Sequence, residues 1–163
     1  MKILLAVDGS AHSDAAVDEI VRQHFAADSE VRVISAVEPQ LFPGMLAGDA
    51  ANLSMYYAEV EKAEREQALV SVDKAAARLR ANEHSSRLTI TTSVIFGSAK
   101  RAILEEADAF GADLIVVGSH GQGMVERFLL GSVSQAVALH AKCSVEIVRR
   151  VIAKTQAGES TAQ

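Results

Sequence analysis

Short apolar runs alternate along the chain with longer segments in which apolar residues recur at helical spacing. Two runs, 2–7 and 114–117, are almost wholly aliphatic, which is typical of parallel strands buried on both faces. The run 31–37 predicts another strand. Two further runs, 88–96 and 145–148, alternate apolar with polar residues and predict strands with one exposed face. The pattern therefore predicts five strands.

Helical spacing fills the segments between these runs. Ser10 can cap a helix that continues to about residue 25, with Asp14 in the first turn, where the helix dipole favours a negative charge. A long amphipathic helix is predicted over 53–81, and shorter helices begin at 97–98 and at Ser132. The buried stripe of the long helix is predicted to consist of Leu69, Val72, Ala76 and Leu79.

Strands that alternate with helices are typical of a parallel α/β sheet with right-handed crossovers. We predict a single-domain open five-stranded parallel sheet, Rossmann-like, with helices on both faces and strand order 3-2-1-4-5. The domain is predicted to span residues 1–150, and the polar tail 151–163 is predicted to be disordered. In such sheets ligands bind beyond the carboxyl ends of the strands where the order reverses. The loops after the first and fourth strands, which begin at Asp8 and Gly118, should face each other there.

Composition limits the classes of function. The 163 residues include 16 Lys and Arg against 21 Asp and Glu, a net charge of −5, so no basic face for nucleic acid or anionic lipid is expected. Cys143 is the single cysteine, which excludes an internal disulfide and fits a reducing compartment. No apolar run reaches the roughly 20 residues of a membrane span, and none resembles a signal peptide. We expect a cytoplasmic protein with neither nucleic acid nor membrane as a partner.

The glycine-rich segment that starts at Gly118 matches neither of two familiar phosphate-binding loops. A Walker loop needs Lys and a hydroxyl residue after its second glycine, but Met124 and Val125 follow Gly123. A dinucleotide fingerprint needs a third glycine where Glu126 stands. Neither the Walker loop nor the dinucleotide fingerprint is therefore expected.

A longer constellation of glycines remains. Two residues separate Gly118 from Gly121, nine residues separate Gly121 from Gly131, and the segment 132–134 follows directly. Glycines allow a close approach of the backbone to an anion and positive φ angles, and free amides at a helix start favour negative charge. Taken singly, these glycines also fit ordinary turns and an ordinary helix start. The combination favours a phosphate site that requires no lysine.

These residues resemble the universal stress protein family, specifically its ATP-binding branch. The resemblance rests on ILLAVDGS near the amino end, on the glycine constellation, and on SVSQAVALHAKCSVEIV at the last strand. Lys142 and Ser144 depart from it, because prolines are common there in the family. The resemblance implies bound ATP, alone or with Mg²⁺ or Mn²⁺, and an adenine nucleotide site formed by Asp8, Val37, Gly118, His120, Gly121, Gly131, Ser132, Val133 and Ser134.

The resemblance also implies a role for each part of that site. Asp8 and Val37 would contact adenine and ribose, Gly118 would lie against the ribose, and Gly121, Gly131 and Ser132 would hold phosphates. From the residues alone, Asp8 could equally serve the turn in which it stands. His120 could reach a phosphate or lie exposed to solvent. Arg127 could bind phosphate or point outward, and the apolar segment 41–46 could form a lid or pack on the protein itself.

Three functions remain open at this level. The first is an ATP-dependent regulatory module that acts on an unknown protein partner. This module is expected to be a homodimer that forms through residues 144–149, where the last strand should form an exposed sheet edge. The second is a slow ATPase or nucleotidyl-transferring enzyme in which Asp8 holds a metal and His120 supplies charge. The third is a nucleotide-free stress protein that acts through its surface. No spacing of His, Cys and carboxylate residues indicates a structural metal site.

Overall fold

A computed structural model describes residues 1–38, 50–85, 87–122 and 130–150 of the chain. Within these ranges strands and helices alternate, as the hydrophobic pattern predicts. The elements are β1 (Lys2–Ala6), α1 (Ala11–Arg22), β2 (Glu30–Val37), α2 (Ala50–Ala81), β3 (Thr89–Phe96), α3 (Ala99–Phe110), β4 (Leu114–Gly118), α4 (Ser132–His140) and β5 (Ser144–Val148).

The five strands form one parallel sheet in the order β3-β2-β1-β4-β5, which confirms the predicted fold class. β1 lies at the centre, where Ile3 pairs with Val31 of β2 on one side and with Leu114 of β4 on the other. The chain moves outward from β1 to β3 and then returns to the other side at β4. The carboxyl ends of β1 and β4 therefore flank the point where the strand order reverses, which is the usual ligand position in such sheets.

Each face of the sheet is covered by its own pair of helices. One buried cluster joins α1 and α2 to the sheet through side chains such as Ile20 and Leu79. The other joins α3 and α4 to the opposite face through side chains such as Ile103 and Val137. Because both faces are covered, β1 is fully buried at Ile3, Leu4 and Leu5, as its aliphatic sequence requires.

The long helix α2 departs from its predicted buried stripe at one position. Leu69 is 42% exposed, whereas the neighbouring Ala68 is 6% exposed. Successive helical residues are separated by about 100°, so the stripe that contains Val72 and Leu79 reaches residue 68 and not residue 69. The solvent side of α2 is also tied to α1, because Lys74 and Arg78 form ion pairs with Asp14 and Asp18.

Three sequence-based interpretations lie outside the described residues. These are the role of the apolar segment 41–46, the orientation of Arg127 and the disorder of the tail 151–163. Among the helices that the structure describes, none combines the length and the hydropathy that a membrane-spanning segment needs.

Candidate functional site

A pocket of about 350 Å³ opens at the carboxyl ends of β1 and β4. This volume falls in the range of about 300–1,000 Å³ that small-molecule sites occupy. One side of the pocket is apolar and is formed by Ile34, Ala36, Ile103 and Val117, while the other is formed by polar and glycine residues of the loops. The lining includes eight of the nine residues that the sequence predicts: Asp8, Gly118, His120, Gly121, Gly131, Ser132, Val133 and Ser134.

Three helix amino termini border this pocket, because every helix that follows a parallel strand starts at the carboxyl edge of the sheet. Ser13 of α1, Ala99 of α3 and Ser132 of α4 all line it. The first turn of α1 is capped by the Ser10 side chain, which accepts a hydrogen bond from Ser13 N–H. The caps of α3 and α4 provide no such side-chain bond. Amides at these two helix starts can therefore bind an external anion.

Asp8 serves the turn after β1 and also lines the pocket. Its Oδ1 accepts a hydrogen bond of 2.9 Å from Ser10 N–H and so shapes the turn after β1. Its half-buried side chain also lines the pocket. The Asp8 carbonyl accepts a hydrogen bond from the Gln122 side chain, which ties the loop after β4 to the end of β1. Asp8 is thus both a turn residue and part of the pocket wall.

His120 is buried, which excludes the solvent-exposed alternative that the sequence left open. It is 9% exposed, and its ring lies 5.0 Å from the ring of His12 in α1. Nδ1 lies 3.0 Å from the Ser119 hydroxyl. Nε2 is buried and has no hydrogen-bond partner in the described part of the chain. A buried polar atom without a partner costs about 1–3 kcal/mol, so a ligand that engaged Nε2 would recover this free energy.

The loop glycines lie close to other parts of the protein, and Gly118 and Gly131 face backbone atoms. A Cβ on Gly118 would lie 2.7 Å from the backbone carbon of His12, and a Cβ on Gly131 would lie 3.1 Å from the Ser119 carbonyl oxygen. A Cβ on Gly121 would lie 2.9 Å from Asp8 Oδ2. Gly118, Gly121 and Gly131 do not use the positive φ that glycine permits, since the described positive-φ glycines are Gly9, Gly97 and Gly111. The loop glycines instead bring β4, α1 and α4 close together around the pocket.

The three residues that begin α4 differ in how they meet the pocket. Ser132 is exposed, Val133 is half-buried and Ser134 is 2% exposed. The Ser134 hydroxyl lies 3.0 Å from the Ser119 carbonyl and 2.9 Å from the Gly131 carbonyl, so it holds the helix start against the β4 loop. The Ser132 hydroxyl and the first amides of α4 are therefore the groups of this segment best placed to contact a ligand.

Val37 is the one predicted residue outside the main pocket. It is 4% exposed, and its carbonyl accepts a hydrogen bond from Gly97 N–H. It lines an adjoining pocket of about 240 Å³ that also contacts Glu64 and Ser71 of α2. The two pockets share Asp8, Ala36 and Gln122.

Sequence reasoning missed the apolar side of the main pocket and the start of α3. Ile34 and Ala36 come near the end of β2, and Ala99 follows Gly97 and Ser98 at the start of α3. The rule that ligands meet the carboxyl ends of strands applies to β2 and β3 as well as to β1 and β4. Applied to all four strand ends, it would have indicated these residues too.

Other candidate chemistry lies away from the pocket. The described residues contain no group of three or more His, Cys, Asp or Glu side chains that could hold a metal ion. Cys143 is half-buried beside the α3–α4 cluster, and burial raises the pKa of its thiol. A raised pKa lowers the thiolate fraction at neutral pH, as expected for a cysteine with a packing role.

The sequence of this chain is similar to those of a known protein family. Residues 1–149 match the universal stress protein family. This chain belongs to the universal stress protein family. Universal stress protein A homolog 2 of Coxiella burnetii is 36% identical over 152 residues, which cover 91% of this chain and 94% of that protein.

Two solved universal stress proteins share this architecture. One, solved in complex with cAMP, is 27% identical with a TM-score of 0.60, and the match covers 91% of this chain and 96% of the other. A family member from Arabidopsis thaliana, solved with AMP bound, is 16% identical with a TM-score of 0.65, covering 96% of each chain. The second likeness concerns the fold alone.

Proposed function

We propose that this universal stress protein binds ATP in the pocket between the carboxyl ends of β1 and β4, and that nucleotide occupancy regulates its binding to a protein partner. The observation that carries the proposal is the convergence of an apolar wall with the uncapped start of α4 in one pocket of about 350 Å³. An adenine base needs apolar walls, and a phosphate chain needs donors and a positive field. The solved relative in complex with cAMP supports an adenine nucleotide as the ligand.

The described residues fit such a ligand in three zones. The apolar zone of Ile34, Ala36 and Ile103 would receive the adenine, and Asp8 would accept hydrogen bonds from polar groups of the base or ribose. The amides that begin α4 at Ser132 would receive phosphate oxygens. A Mg²⁺ or Mn²⁺ ion bound with the nucleotide would neutralise part of the phosphate charge.

Identifying the ligand that the purified protein carries distinguishes the regulatory proposal from its alternatives. Mass spectrometry of small molecules released by denaturation should detect ATP at close to one molecule per chain. AMP or ADP that accumulates when ATP is supplied would instead indicate the ATPase or nucleotidyl-transferring enzyme. A protein that releases no nucleotide, and takes up none when ATP is added, would act through its surface alone.

Replacing Asp8 with asparagine should weaken ATP binding roughly ten- to a hundredfold, since a hydrogen bond to a charged group contributes about 1.5–3 kcal/mol. Asparagine retains an oxygen that can accept the Ser10 N–H bond, so the turn should persist. The matched control is Asp14→Asn, which alters a carboxylate that pairs with Lys74 outside the pocket. Titration calorimetry measures both. Equal affinity in wild type and Asp8→Asn would exclude a carboxylate contact with the nucleotide.

The dimer is proposed to form through residues 144–149, which include β5 at one edge of the sheet. Ser144 N–H donates to Asp113 and the Val148 carbonyl accepts from Ser119, so residues 144, 146 and 148 direct their backbone groups toward β4. Residues 145, 147 and 149 therefore direct theirs toward the open edge. A second copy can pair there about a two-fold axis.

Ile147→Pro tests this dimer without disturbing the β4–β5 ladder, because the N–H that proline removes faces the open edge. Light scattering should detect a dimer for wild type and a monomer for the variant, and the variant should still bind ATP. The control, Glu146→Pro, removes an N–H that faces β4 and should destabilise the fold. A monomeric wild type, or a dimeric Ile147→Pro variant, would contradict the proposed interface.

A further inference from the structure

Two exposed histidines from distant parts of the chain meet at the amino-terminal side of the sheet. His24 follows α1 and His84 follows α2, and each connection leads into the start of a strand. Their ring centres lie 4.4 Å apart, and the ring planes are inclined by 57°. The nucleotide pocket lies at the opposite, carboxyl side of the sheet, so this pair is separate from that pocket.

The backbone on each side of the pair is anchored. Next to His24, Gln23 N–H donates to the Glu19 carbonyl at 3.0 Å, and the Gln23 side chain donates to Glu146 of β5 at 2.8 Å. Phe25 packs against the core. The residues on both sides of His24 are therefore fixed by contacts with α1, β5 and the core.

His84 is held in a similar way. Its N–H donates to Asn82 Oδ1 at 2.9 Å. The next residue, Ser85, is 1% exposed, and its hydroxyl donates to the Leu79 carbonyl at 2.5 Å. Two imidazoles are thus presented to solvent from two anchored segments.

The separation of the rings matches a chelate. A metal about 2.0–2.1 Å from one nitrogen of each ring lies about 3.2 Å from each ring centre, so imidazoles in cis positions about 90° apart have centres about 4.5 Å apart. Tetrahedral ligands would place the centres about 5.2 Å apart. The observed 4.4 Å is close to the cis square-planar or octahedral value. Imidazole nitrogens in such geometry are typical ligands of Cu²⁺ and Ni²⁺.

We propose that His24 and His84 form a two-histidine site for Cu²⁺ or Ni²⁺, with water in the remaining coordination positions. The bound ion would link the α1–β2 connection to the α2–β3 connection. Because an ion that binds only the folded chain adds stability, the site makes thermal stability depend on the concentration of the metal.

Titration of the full-length protein with NiCl₂, followed by calorimetry, tests this site. Wild type should bind one ion per chain, and His24→Ala and His84→Ala should each weaken binding roughly a hundredfold, because either change turns a chelate into a single ligand. The double variant should bind more weakly than either single variant, but its loss should be smaller than the sum of the two single losses, since each single change already removes the chelate effect. His140→Ala, which removes an exposed histidine at the end of α4, should bind as wild type does.

The opposite results overturn the proposal. These are unchanged affinity in either single variant, additive losses in the double variant, or an equal loss in His140→Ala. Electron paramagnetic resonance of the Cu²⁺ complex gives a second readout. Coupling to two imidazole nitrogens supports the chelate, and coupling to one or none contradicts it. ATP affinity should be the same in the single variants and wild type, which separates this test from that of the nucleotide site.

Discussion

The substitution Gly118→Ala is expected to destabilise the folded chain by about 3 kcal/mol, the upper end of the usual cost of overpacking. The new Cβ would lie 2.7–2.9 Å from backbone atoms of His12 and Ser13. These atoms belong to α1, which cannot rotate away as a side chain can, so the helix must move off β4. Urea denaturation with and without ATP measures the loss of stability and its effect on the pocket.

Gly121→Ala is the matched control for Gly118→Ala. Its Cβ would approach the Asp8 carboxylate at 2.9 Å, which is the end of a side chain and can turn. We expect Gly121→Ala to cost less than about 1 kcal/mol of stability. Equal free energies of unfolding for the two variants would show that the close approach of α1 to β4 does not determine the need for glycine at position 118.

The substitution Ser132→Asp is expected to weaken ATP binding about a hundredfold while the stability of the fold is kept. Ser132 is exposed, lines the pocket and begins α4, whose first turn contains no acidic residue. A carboxylate there complements the helix dipole and adds about 0.3–1 kcal/mol to helix stability. The same charge repels phosphate by about 4 kcal/mol at 4 Å for an effective dielectric constant of 20, before screening by salt.

The control for Ser132→Asp is Gln135→Asp, which adds the same charge to an exposed position of α4 that does not line the pocket. Titration calorimetry should give nearly wild-type ATP affinity for Gln135→Asp. Thermal unfolding should show that both variants are as stable as wild type. Wild-type affinity in Ser132→Asp would remove the start of α4 from the proposed phosphate contacts.

The strands could be predicted from sequence because their burial follows from their position in the sheet. The central strands β1 and β4 are covered on both faces and consist of aliphatic residues, whereas the edge strand β3 keeps Thr89 and Thr91 exposed beside the half-buried Ile90. Strand order followed from the right-handed crossover rule together with the family resemblance. Leu69 was misplaced because a helix of 32 residues has several apolar positions, and only contact with the sheet decides which are buried.

The glycine spacing predicted loop residues that line the pocket. Spacing alone could not distinguish a glycine that makes room for a ligand from one that makes room for the protein's own backbone, and the contacts of Gly118 and Gly131 are of the second kind. The burial of His120 could not be predicted either, since its surroundings include His12 of α1, which is distant in sequence. Contacts between residues that are distant in sequence decide both features.

The central proposal, an adenine nucleotide in the pocket between β1 and β4, is tested most directly by following backbone amide resonances of the ¹⁵N-labelled protein as ATP is added. We expect saturable shifts for amides on both sides of the pocket, at Ala36 and at Gly121, Ser132 and Val133, while the amides of His24 and His84 are unchanged. Tripolyphosphate, which lacks the base, should shift the amides that begin α4 but not Ala36. An absence of shifts at millimolar ATP, or shifts confined to residues outside the pocket, would contradict the proposed nucleotide site.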